Sequence, residues 1–133
     1  MHRGFLSAGA IVGALAVVLG AFGAHQLKQM LPPESMAASL ATYQTGVQYQ
    51  MYHALALLAV AIIHQRYPGK LLRLSGGCLI AGIILFSGSL YAMTALKVSG
   101  RVGLDGIGAV TPIGGLLFIA GWVLLFAATR QKA

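Results

Sequence analysis

The sequence predicts an all-α integral membrane protein, a four-transmembrane-helix bundle forming a single domain over residues 1–133. Three observations lead there. Hydrophobic residues fill 58% of the 133 positions and charged residues only 8%, whereas a soluble domain keeps about a quarter of its residues charged to face water. The apolar residues lie in four long blocks, at about 4–24, 47–65, 71–96 and 111–128. Each block approaches the roughly 20 residues that cross about 30 Å of hydrocarbon at about 1.5 Å per residue. Inside hydrocarbon a backbone must satisfy its own hydrogen bonds, so blocks of this length must be helical.

The first block carries no charge after Arg3. Met1-His2-Arg3 before an apolar run, with Ala21-Phe22-Gly23-Ala24 after it, has the outline of a secretory signal. The run exceeds a usual signal core, so a retained helix is expected. Gly9, Gly13, Ala16, Gly20 and Gly23 make one stripe of small residues along it. Such a stripe lets helix backbones approach closely in lipid, either inside the monomer or at a seam between copies. The monomer interior is favoured, because four helices already need an inner face. Gly114 and Gly121 are similar packing positions in the fourth block.

Gln29-Met30-Leu31-Pro32-Pro33-Glu34 is a turn that starts a helix, with Glu34 expected in its first turn. Met36, Leu40, Tyr43 and Val47 then recur at helical spacing. Residues 34–46 are therefore either a surface-lying amphipathic helix or an extension of the second span, with Gly46 as a bend. Ser99 to Gly108 is a glycine-punctuated, flexible loop. Thr111-Pro112 reads as a helix start, Thr as N-cap and Pro at the first position.

Orientation follows from the basic residues. One side of a four-crossing chain holds Arg3, Arg66, Lys70, Arg73, Arg130 and Lys132, and the other Lys28, Lys97 and Arg101 together with both acids, Glu34 and Asp105. The positive-inside bias places both termini in the cytoplasm. The formal net charge of +7 serves that topology and anionic headgroups. It forms no run or stripe, which excludes nucleic acid as a partner. Cys78 is the single cysteine, so no internal disulfide forms.

Polar residues gather in the outer halves of the spans. Gln48-Tyr49-Gln50-Met51-Tyr52-His53 opens the second block, Ser87, Ser89 and Tyr91 lie in the third, His25 ends the first and Thr111 begins the fourth. By topology these groups share one depth. An ionisable residue within a membrane is costly and faces protein or water rather than lipid. His25, Gln48, Tyr52, His53, Ser87, Ser89 and Thr111 are accordingly the candidate ligand-binding residues. The alternative is that they are structural, hydrogen bonding between helices. Two histidines without a nearby acid or thiol are too few for a closed metal site. No cofactor motif is present.

Four motifs bear a family resemblance. Ala21-Phe22-Gly23-Ala24-His25, Val47-Gln48-Tyr49-Gln50-Met51-Tyr52-His53-Ala54-Leu55-Ala56, Leu85-Phe86-Ser87-Gly88-Ser89-Leu90-Tyr91 and Thr111-Pro112-Ile113-Gly114-Gly115 with Gly121-Trp122 resemble the YgdD/YwdK-like small bacterial inner-membrane proteins, domain of unknown function 423. The resemblance covers nearly the whole chain and implies a four-helix protein of a bacterial inner membrane. It brings no established activity or catalytic residue. The glycine-rich loop departs from the family pattern and leaves the shape of the outer surface open.

No Asp or Glu lies within any block, which argues against a proton-coupled exporter built on an embedded acid. No Ser-His-Asp set, His-Glu-x-x-His or phosphate-cradling Gly-Lys motif occurs, so no enzymatic machinery is visible. The leading expectation is a non-enzymatic membrane protein whose polar cluster binds a small ligand, a lipid headgroup or another membrane protein. The alternative is a small channel or transporter, which at this size requires a homo-oligomer.

Overall fold

A computed structural model describes residues 2–101 and 105–130; the centre of the glycine-rich loop and Lys132 lie outside them. Four helices are long and apolar enough to cross a membrane: α1 Arg3–Met30, α2 Met36–Arg66, α3 Lys70–Val98 and α4 Val110–Arg130. A short 3-10 turn, Asp105–Ile107, precedes α4. α2 and α3 form the centre, with α1 packed on α2 and α4 on α3. α2 is the least apolar span and the most buried, while α1 is the most apolar and the most exposed. That inversion suits a lipid solvent, where apolar side chains face outward at no cost.

The chain punctuates itself locally. His2 caps α1, its Nδ1 accepting from the Phe5 N–H at 3.3 Å. Leu31 is extended, as a residue before proline must be. α2 begins only at Met36, so Glu34 lies in the turn before the helix rather than in its first turn. α3 ends on Gly100, whose φ of 68° places it in the left-handed region that favours glycine. Arg101 N–H then reaches Leu96 O and Gly100 N–H reaches Lys97 O, a Schellman closure.

α2 is helical without interruption through Gly46, so residues 36–46 continue the second helix. A Cβ at Gly46 would lie 3.0 Å from the Tyr91 ring; the glycine admits α3. The small-residue stripe of α1 packs within the monomer. A Cβ at Gly9 would meet Ala54 O at 2.9 Å, and one at Gly23 would meet the Tyr43 ring at 2.5 Å. Gly82, Gly114 and Gly121 bring α3 and α4 together in the same way.

Two apolar cores result. One gathers Leu57, Val60, Leu72, Leu79 and Phe118; the other, toward the Lys28 and Lys97 end, gathers Leu27, Leu31 and Tyr43. Between them lies a belt of polar side chains. α2 spans 31 residues, about 46 Å of rise, and His53 lies near its middle.

Candidate functional site

The belt is largely a set of stitches, each tying a side chain to the backbone or a side chain of another helix. Gln50 Nε2 donates to Val12 O at 2.9 Å while its Oε1 accepts from the Tyr91 hydroxyl at 2.7 Å, joining α1, α2 and α3. Tyr43 Oη donates to Leu19 O at 2.6 Å. Ser87 donates to Gly46 O and Ser75 to Gly121 O, both at 2.7 Å. Ser89 and Thr111 share a bond of 2.6 Å between α3 and α4.

Two wide π turns help to place these groups, Gly23–Leu27 in α1 and Ile83–Ser87 in α3. At the first, Gly23 N–H divides between Gly20 O and Leu19 O, so the Leu19 carbonyl accepts from both that shared N–H and the Tyr43 hydroxyl. At the second, the turn closes on Ser87 facing Gly46.

The seven candidate residues do not form one cluster. His25 and Gln48 are exposed, and a single-depth gathering is corrected by the length of α2, which carries His53 to mid-span. Gln48 falls on the outward face with Tyr52 and Leu55, whereas Gln50 shares the buried face of Gly46, His53 and Leu57. Gln50 is therefore the interior amide. Ser87, Ser89 and Thr111 are spent on the stitches above. Thr111 lies within the first turn of α4, which starts at Val110, and is not its N-cap.

His53 and Tyr52 belong to a different feature. His53 is buried at 5% exposure and stacks on Phe118, ring centroids 3.5 Å apart at 6°. Its Nδ1 lies 2.6 Å from Tyr49 O, and its Nε2 accepts from Trp122 Nε1–H at 3.3 Å. The pattern fits one neutral tautomer with the proton on Nδ1, since the carbonyl accepts and the indole donates. Tyr49 stacks on Phe86 at 4.6 Å.

Around this stack runs a groove of about 820 Å³, lined by Tyr49, Tyr52, His53, Phe86, Pro112, Gly115, Leu116, Phe118, Ile119 and Trp122. It descends from the start of α4 to mid-span and opens sideways, where Tyr52, Leu116 and Trp122 are 55%, 66% and 49% exposed. No charged residue lines it. Among the described residues neither the Tyr49 nor the Tyr52 hydroxyl has a hydrogen-bond partner. Phe118 was not named from the sequence, and Phe86 and Trp122 entered only as motif residues of the resemblance, not as candidate site residues. Gly114 and Gly121 were the available signal, because they fix which face of α4 meets α3.

Comparison with known proteins agrees with this architecture. The family model described as "Protein of unknown function (DUF423)" matches residues 19–115. The chain belongs to this family. It is 42% identical over 125 residues to the UPF0382 membrane protein YwdK of Bacillus subtilis, covering 93% of this chain and 94% of that one. Identity to a UPF0382 membrane protein of Haemophilus influenzae is 43% over 134 residues, covering 100% and 99%. The UPF0382 inner membrane protein YgdD of Escherichia coli is 40% identical over 126 residues, covering 92% and 87%. No solved structure matches the chain. This DUF423 chain is thus an all-α membrane protein of an uncharacterised bacterial family.

Proposed function

We propose that this DUF423 protein binds a neutral, amphipathic lipid in the groove between α2 and α4, as a non-enzymatic protein of the bacterial inner membrane with both termini in the cytoplasm. The observation that carries the proposal is the lateral opening of an aromatic groove at mid-span, with the phenols of Tyr49 and Tyr52 among its lining. Each feature restricts the ligand. The opening faces acyl chains, so the ligand comes from the bilayer. The uncharged lining at mid-depth disfavours a charged headgroup, whose burial there costs about 3 kcal/mol or more. The phenols supply donors, so the polar end carries acceptors; the ring walls suit a planar group. A prenylated quinone has this chemistry. The orientation rests on the excess of Lys and Arg at the end bearing Arg3 and Arg66.

Trp122 is the single tryptophan, so its emission reads the groove directly. In vesicles a short-chain quinone is expected to quench Trp122 saturably. The Tyr49→Phe, Tyr52→Phe double variant should need about tenfold more quinone, as two lost hydrogen bonds imply. Linear quenching that is identical in the variant would mean collision in the bilayer and would remove the proposal. The space between helices is filled by Leu57, Val60, Leu72 and Leu79, so a channel reading would need a route between chains, and no feature of the groove favours it.

A further inference from the structure

The Lys28 and Lys97 end of the bundle holds a second cavity of about 200 Å³, between the first turns of α2 and the last turn of α3. Ser35, Ser39, Thr42, Met93, Thr94 and Lys97 line it. Its wall mixes hydroxyls and the Lys97 side chain with the apolar Ala38 and Met93, where the groove is aromatic. α2 starts here without a side-chain cap and without an acidic residue in its first turn. Its leading N–H groups and the positive end of its dipole are therefore unanswered by the helix itself.

A separate observation concerns Ser39. The residue is only 6% exposed, yet among the described residues its hydroxyl makes no hydrogen bond. Buried hydroxyls on a helix commonly bond a carbonyl one turn back, as Thr94 does here. Ser39 is also absent from the fully enclosed, unpartnered polar atoms, of which the described residues have none. Its oxygen thus keeps an opening, and the cavity it lines is that opening. Ser39 lies one turn before Tyr43, near the start of α2.

We infer that this cavity binds a phosphate group through the Ser39 and Thr42 hydroxyls, the Lys97 ammonium and the positive end of α2. A phosphate offers several acceptor oxygens and negative charge to donors that come from two helices. Thr94 shapes the wall, its own proton being committed to Leu90 O at 3.0 Å. The phosphate is either that of a phospholipid or a free anion. The site is independent of the groove, sharing no lining residue with it.

The test is native mass spectrometry of the full chain released from a neutral detergent, with phosphatidylglycerol added in one arm and inorganic phosphate in the other. The wild type is expected to retain one phosphatidylglycerol. Ser39→Ala and Lys97→Gln should each need about tenfold more lipid, the scale of one charge-assisted hydrogen bond, while Gln48→Ala, exposed and outside the cavity lining, should bind as the wild type. Lys97 is exposed, so its variant keeps the fold if Ser39→Ala does not. Displacement of the lipid by millimolar inorganic phosphate, or its retention alone, would assign the free anion as the source. Equal retention by wild type, Ser39→Ala and Lys97→Gln, or no retention in either arm, would overturn the inference.

Discussion

Adding one methyl group at Gly114 should weaken the protein, while adding the same group at Gly115 should not. An Ala Cβ at Gly114 would lie 2.8 Å from both the Cα and the Cβ of Phe86 and closer still to its backbone nitrogen. Those atoms belong to the helix axis of α3 and cannot rotate aside, so α3 and α4 must separate. Overpacking of this kind costs about 1–3 kcal/mol. Alanine returns about 1 kcal/mol through its better helix propensity, leaving Gly114→Ala up to about 2 kcal/mol less stable. At Gly115 the nearest atoms are the Phe86 ring at 3.8 and 3.9 Å, an ordinary contact. There only the propensity acts, and Gly115→Ala should gain up to about 1 kcal/mol. Unfolding by a denaturing detergent in mixed micelles, followed by circular dichroism, compares the two. Equal stability, or a more stable Gly114→Ala, would show that α3 and α4 do not depend on backbone contact at this point.

Gln50→Leu should lose about 1 kcal/mol by leaving Val12 O and the Tyr91 hydroxyl unpaired, while Gln48→Leu leaves the midpoint in the same assay unchanged. Tyr43→Phe removes the hydroxyl from Leu19 O and leaves that carbonyl only the shared Gly23 N–H; a loss of about 0.6–2 kcal/mol is expected, and no loss would mean that the shared N–H suffices. His53→Leu removes the acceptor from Trp122 Nε1–H, so Trp122 emission should shift to shorter wavelength, and an unchanged spectrum would contradict the pair. Ser99→Cys, placed in a Cys78→Ser background, should react with an impermeant maleimide added outside intact cells. Labelling only after permeabilisation would invert the topology.

The face of each helix was the hardest feature to read from sequence. Gln48 and Gln50 are two positions apart in one polar run, and composition does not separate them. Their roles depend on which side of α2 meets α1 and α3, and Gly46 was the marker of that side. The π turns add to the difficulty, because a wide turn rotates everything beyond it and defeats extrapolation from a regular wheel. Residues 36–46 posed a related problem: the same periodicity suits an interfacial helix or an extended span. Ser39, Tyr43 and Gly46 are buried because α1 and α3 pack on them, which no local pattern contains.

Membrane crossing was legible in the sequence by itself, since hydrocarbon demands only sufficient length, apolarity and internal hydrogen bonding from each segment. The four spans and the small residues at their contacts are local properties of the chain. The groove, the stack of His53 on Phe118 and the cavity beside Ser39 each need side chains from two or three helices. They came only from the tertiary structure, because interhelical contacts depend on the rotation of each helix about its own axis, and lipid, as apolar as the side chains it touches, does little to set that angle.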